Sequence, residues 1–410
     1  MIAKWLNKFF VLLVILYITQ LINFLHSEFI IHAIFYAAIV IGGISMTLCI
    51  ISPYKNVSPV AYIIIVFALL LPIISAWRSW VVFGQPIFYG IARMRYMFIL
   101  LFAFHLYHTG YSFKTLMKQI NTVNIIIAAG SIVLLYVFGV DNVVAEKSFF
   151  TIYSADTEAT SDAIKGVKLT YCSQLIFVSV IYYMTACMQK LKIKDILILA
   201  LFVFYTLFVH KGRQPLVAYG VIFLIYMATH LNKRNVIIGI LSVGIISFII
   251  INDNSIVGRY TTILEGDYSM DTSALARFAE VEDVVPYIKK YPIGGFGNLS
   301  YKFNEGFQGV FNDYFFIEDI GIIGVMAKGG IILIALCALF YYLCFRYTFR
   351  IENNLHKAYI INMLITCIVL SFIGSDTLTC APALLVFIIY PMIYAPVKKR
   401  HVESMFSFRL

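Results

Sequence analysis

Apolar runs of about twenty residues recur along nearly the whole of this 410-residue chain, and that spacing restricts the fold more than any motif does. At 1.5 Å per residue, a helix of about that length crosses the roughly 30 Å of hydrocarbon in a bilayer. The runs are continuously apolar, whereas the strands of a membrane barrel alternate over about ten residues. Charged residues make up 13% of the chain and hydrophobic residues 61%, where soluble domains carry about 25% charged residues. The expected fold is an all-α integral membrane protein.

About twelve spans are expected: Trp5–Leu25, Phe29–Ile51, Pro59–Ala76, Ile91–His108, Ile120–Gly139, Leu169–Met188, Asp195–Val209, Gln214–Leu231, Val236–Ile251, Asp319–Phe345, Ala358–Ser375 and Thr379–Ala395. The first lacks a small-residue cleavage site and exceeds a signal h-region in length, so it reads as a retained span. Lysine and arginine in the short loops orient the chain. Lys4, Lys8, Lys55, Lys114, Lys190, Lys233, Arg346, Arg350 and Lys398 fall on one side, and the short connections Leu25–Phe29 and Ser375–Thr379 carry no basic residue. Both termini are therefore expected in the cytoplasm. The net charge of +10 is a topology signal and not a nucleic-acid footprint, because no basic stripe with interleaved aromatics occurs.

Three regions follow: residues 1–251 with helices 1 to 9, an extracytoplasmic loop over 252–318, and residues 319–410 with helices 10 to 12 and a cytoplasmic tail. The loop inverts the charge of the rest, with ten acidic and five basic residues between Asp253 and Glu318. A transporter rarely needs such an insertion between two late helices; an enzyme handling a lipid-linked substrate at the outer face does. A secondary transporter or flippase would more often show a repeat, a central loop or mid-depth charge, and the spans read as almost free of such charge. A second polar loop, Val140 to Lys168, shows no catalytic pattern, and Trp77 to Tyr89 reads as an interfacial amphipathic stretch. The seven cysteines are scattered, with no zinc or iron–sulfur spacing. Neither a metal nor a cofactor is expected.

Cations near the outer face are the candidate site residues. Arg213 and Lys211 flank Gly212 at the start of the eighth span, where Pro215 suits a first helical turn. A cation there opposes the helix dipole, so a helix N-terminus with two cations makes an anion pocket suited to a diphosphate; the plain alternative is snorkelling to lipid phosphates. Arg93 and Arg95 open the fourth span on different faces, so at most one looks into the bundle. Arg277 lies in an amphipathic stretch with Leu275, Phe278, Val281, Val285 and Ile288 on its apolar side, and its plain reading is a surface ion pair with Glu280. Gly295 and Gly297 make a turn that allows close backbone approach.

The order of these features resembles the superfamily of O-antigen ligases and Wzy-type repeat-unit polymerases. Its pattern is an arginine, an amphipathic helix, a proline, a Gly-x-Gly turn and then a span rich in Gly-Leu/Ile-x-Gly. Here those are Arg277, residues 279–290, Pro292, Gly295-Phe296-Gly297, and Gly321 and Gly324 through Gly329-Gly330. The Gly212-Arg213 pair resembles the superfamily's small residue plus arginine. Ligases of the group carry a His-Asn pair shortly before this glycine-rich helix; here that place holds Asp319 and Ile320, and no histidine lies between His230 and His356. The polymerase branch, where an acid is common there, is favoured. The resemblance implies polymerisation of undecaprenyl-diphosphate-linked repeat units into O-antigen or capsule at the outer face of the bacterial cytoplasmic membrane, with ligase or flippase activity as alternatives. Implied partners are the lipid-linked glycan donor and acceptor, membrane lipids, a chain-length regulator and a repeat-unit flippase. Implied catalytic residues are Arg213, Arg277 and Asp319, with Lys211, Arg93, Arg95, Gly295 and Gly297 binding substrate. The plain reading of Asp319 is a helix cap.

Overall fold

A computed structural model describes residues 2–25, 27–52, 57–137, 175–210, 213–229, 272–312, 315–374 and 376–393. Among the described residues the elements are all helices. They are α1 (Ile2–Ile18), α2 (Glu28–Ile51), α3 (Pro59–Phe83), α4 (Ile87–Arg93), α5 (Arg95–His108), α6 (Phe113–Tyr136), α7 (Ile176–Gln189), α8 (Ile193–His210) and α9 (Arg213–Thr229). There follow α10 (Thr272–Lys290), α11 (Gly321–Thr348), α12 (Asn354–Ile373), the single turn α13 (Thr377–Cys380) and α14 (Pro382–Met392). Six of them (α2, α3, α6, α8, α11 and α12) are long and apolar enough to cross a membrane, and a seventh span arises if α4 and α5, bent by 53°, are taken together. The chain is thus consistent with a multi-pass membrane protein. The expected ninth span, Val236–Ile251, and the polar loop Val140–Lys168 lie outside the described residues.

Two spans depart from expectation for local reasons. The first helix stops at Ile18, because Thr19 turns its hydroxyl back onto the Ile15 carbonyl (3.0 Å) and Gln20 adopts φ +63°. The Trp77 stretch does not form a separate interfacial segment. It continues α3, which passes through a π-turn at Val66–Leu70 and ends only at Gly84, a left-handed C-cap. Its aromatic residues Trp77 and Trp80 stay about half exposed, but Ser75, Ala76 and Ser79 are buried.

The helices share one large apolar core, and residues 281–323 build a second, smaller one with the end of α3. The second is aromatic: Tyr287, Phe296, Phe307, Phe311 and Phe315 pack with Phe83, ring centroids lying 4.3 to 6.3 Å apart. This small core forms a cap over one end of the bundle, and α10 lies along α11. The face of α10 that enters it carries Glu280 and Val284, both buried, whereas Phe278 stays 53% exposed. Of the apolar stripe expected from the sequence, Val281 and Ile288 pack against this core and Phe278 does not.

Candidate active site

The geometry of the capped end starts from one glycine. Gly330 takes φ +62° and ψ −163° inside α11 and splits it into two half-helices. A break in a helix strands carbonyls on one side and N–H groups on the other. The turn after α10 satisfies both sets. Phe296 and Gly297 donate to the carbonyls of Ala327 and Lys328 (2.9 Å each), while Ile331 and Ile332 donate to those of Pro292 (2.9 Å) and Ile293 (3.2 Å). Gly295 rests on the backbone of residues 327–329, and Gly297 on Ser75 and Ser79 of α3. The close approach these two glycines permit is made to the protein's own helices.

Side chains from α3 and the residues after it hold the turn in place. Arg78 donates from Nε (2.9 Å) and Nη2 (2.7 Å) to the Gly295 carbonyl, with its guanidinium against the rings of Trp77 and Tyr291. Gln85, fully buried, donates to Ser79 Oγ and the Asn298 carbonyl and accepts from the Ser300 N–H (2.7 Å).

The charged residues of the cap gather beside this junction. Arg277 is half-buried on α10, and its Nε is buried with no hydrogen-bond partner among the described residues. One turn along, Glu280 is 4% exposed; its Oε1 accepts from the Phe316 N–H (3.0 Å), and its Oε2 is buried without a partner among the described residues. The surface ion pair expected between them is replaced by a buried carboxyl group. Burial pushes the Glu280 carboxyl above its ordinary range, the Phe316 N–H opposes that, the charge of Asp319 adds to it, and Arg277 offsets part of it. Asp319, half-buried, sits in the turn that enters α11, whose N-cap position is Ile320. Next to it, Glu318 pairs with Arg93 at 3.1 Å, a contact left about a third exposed on both sides. Arg93 thus joins the cluster through an acid of the cap.

Arg213, as the first residue of α9, comes close by another route. The side chain of Gln214 abuts Gly374 at the end of α12, and the carbonyls of Ser371 and Gly374 abut Gly321, two residues after Asp319. The start of α9 and the start of α11 therefore meet at one end of the bundle. Lys211 and Gly212 lie outside the described residues. Arg95 is exposed beyond the bend at Met94, within electrostatic range of Tyr17 on α1, and makes no ion pair among the described residues.

Three polar residues near this end were passed over in the sequence. Lys328 is 6% exposed inside α11, one buried cation within spans that read as almost free of mid-depth charge. Arg78 lies in the stretch expected to be interfacial, and Asn298 belongs to no motif. With Ser75, Tyr96 and Thr379 they line a cavity of about 110 Å³ between α3 and α11. A lysine inside an otherwise apolar 28-residue helix was the available signal, since charge within a span is a functional hypothesis by default.

The cluster combines a half-buried guanidinium, a buried carboxyl group held above its ordinary range, two neighbouring carboxylates and a helix terminus, which together can bind an anion and accept a proton. No curated protein matches the chain. Residues 198–338, which run from α8 into α11 and include Arg213, Arg277, Asp319 and Lys328, match the family model described as O-antigen ligase, a finding that supports the O-antigen ligase/polymerase superfamily and a membrane glycan-processing role for this chain.

Proposed function

We propose that this protein is a glycosyltransferase that polymerises undecaprenyl-diphosphate-linked repeat units into O-antigen or capsular polysaccharide at the outer face of the bacterial cytoplasmic membrane. The observation that carries the reading is Arg277, half-buried beside Glu280 and Asp319 with an unpartnered Nε, within the matched stretch. In the reaction, an acceptor hydroxyl attacks the anomeric carbon of the donor glycan. The bond to the diphosphate breaks, its electron pair stays on the leaving diphosphate, and the hydroxyl proton passes to Asp319 acting as base. The protein's main task is to hold positive charge where the leaving group gains negative charge. Arg277 and Arg213 do so as fixed forks that bind phosphate oxygens with parallel hydrogen bonds.

The ligase reading is favoured by the matched family, which is that of O-antigen ligase. Against it stands the lack of any histidine between His230 and His356, since the ligases' His-Asn pair would fall in that interval. One experiment separates the two. A strain carrying Arg277→Ala or Arg213→Ala at normal expression is examined for lipid-linked and surface glycans. A polymerase defect leaves single repeats, whereas a ligase defect leaves long glycans on the lipid carrier and none transferred. Lysine at either position should rescue poorly, because a point charge lacks the fork. Full glycan ladders from both alanine variants would overturn the arginine mechanism.

A further inference from the structure

The cavity between α3 and α11 plays no part in the reaction above, and none of Arg277, Glu280 and Asp319 lines it. Its polar wall is electrically incomplete. Among the described residues the Lys328 ammonium, 6% exposed, donates only to neutral groups, Thr379 Oγ1 at 3.4 Å and Cys380 Sγ at 3.8 Å. Carboxylates act on it only through space: Glu318 is held by Arg93, and Asp376 accepts from Ser371 Oγ and the Thr379 N–H. Asn298, which also lines the cavity, is 1% exposed, and neither its Oδ1 nor its Nδ2 has a hydrogen-bond partner among the described residues. A buried ammonium with no carboxylate in contact and a buried amide without partners among the described residues both leave polar groups unsatisfied. A single anion between them relieves both.

The other wall indicates what carries that anion. Leu71, Ile74, Ile332 and Leu336 line it, and Ile74 and Ile332 are also 41% and 51% exposed on the flank of the bundle. The cavity therefore borders an exposed apolar flank of the bundle. We propose that this cavity binds the phosphate group of a lipid phosphate, with Lys328 Nζ and Asn298 Nδ2 donating to phosphate oxygens and the hydrocarbon chain leaving between α3 and α11. Arg78 adds positive charge to the wall while it holds the Gly295 carbonyl. The assignment does not depend on the polymerase reading, because it requires only a phosphate on a hydrocarbon chain.

The test is ligand-dependent thermal stabilisation of the full-length protein in detergent, titrated with farnesyl phosphate, farnesol and inorganic phosphate. Farnesyl phosphate should stabilise the wild type at concentrations at least about ten-fold below those of the other two, as expected for charge-assisted bonds plus an apolar chain. Lys328→Met should weaken that binding by about ten-fold or more, while its unliganded midpoint is no lower than that of the wild type. Asn298→Asp sets a carboxylate against Lys328 and should weaken binding similarly. It decides the matter if Lys328→Met cannot be purified. The glycan ladders of Arg277→Ala and Arg213→Ala test the polymerase reading and leave Lys328 and Asn298 intact, so a failure here is distinct from a failure there. Equal stabilisation by farnesol or by inorganic phosphate, or undiminished farnesyl phosphate binding by the folded Lys328→Met or Asn298→Asp protein, would overturn the site.

Discussion

Substituting alanine at Gly295 tests the junction on which the candidate site is built. The added methyl would lie 2.5 Å from the Gly329 nitrogen and the Lys328 carbonyl carbon, and 2.6 Å from the Ala327 oxygen. Comfortable contacts between carbon atoms lie at about 3.5–4.0 Å, and the obstacles are backbone atoms of α11, which cannot rotate aside. The φ of +61° adds about 1–2 kcal/mol of strain for any residue with a Cβ. Relief requires the turn to lift off the break at Gly330 and give up four backbone hydrogen bonds, each contributing about 1 kcal/mol net. The sum is about 5–6 kcal/mol, comparable with the whole stability of many domains. The neighbouring Gly294→Ala is the control: its methyl meets only the Arg78 side chain, at 3.3 Å, and should cost about 1 kcal/mol. Thermal unfolding in detergent, together with trypsin cleavage at Lys289 and Lys290, measures both. Gly295→Ala should lose the docked cap and be cut rapidly. A Gly295→Ala protein as heat-stable and trypsin-resistant as Gly294→Ala would refute the account of the broken helix.

Three further outcomes are expected. Asp319→Asn should keep the protein folded in the membrane while polymerisation falls about a hundred-fold or more, the usual effect of losing a general base; near-normal ladders would assign Asp319 to structure alone. Glu280 has its carboxyl raised by burial, so the folded state binds the extra proton. Its stabilising contribution is present below the ordinary carboxylate range and is lost as pH rises through the raised value. Glu280→Gln should therefore flatten the pH dependence of the unfolding midpoint in that weakly acidic window and raise the midpoint at neutral pH. An unchanged pH profile would show that Glu280 is not the titrating group. For topology, a reporter active only in the cytoplasm should be on when fused after Asn232 or Arg350 and off at Tyr268, and activity at Tyr268 would reverse the orientation.

Hydropathy is a property of consecutive residues, so the helical nature of the described residues and the approximate positions of the apolar helices among them were determined by sequence alone. So was the order of Arg277, Pro292, Gly295, Gly297 and the glycine-rich helix, because the chain supplies α10, the turn and α11 one after another. What those residues touch was settled only by tertiary structure. The Gly-x-Gly turn has the backbone freedom of a ligand cradle, yet the break at Gly330, more than thirty residues later, gives it four partners within the protein. Glu280 looked like a solvated acid until the cap's aromatic core selected the face of α10 that carries it. Lys328 was hidden because one cation barely changes the mean hydropathy of a long apolar helix. Its isolation becomes visible only when Asn298 and Arg78, on separate segments, line the same cavity. Local pattern decides which segments are helices, because backbone hydrogen bonding and lipid exposure act over a single turn. Which polar groups remain buried without partners depends on segments distant in sequence, and that is where the candidate chemistry of this protein resides.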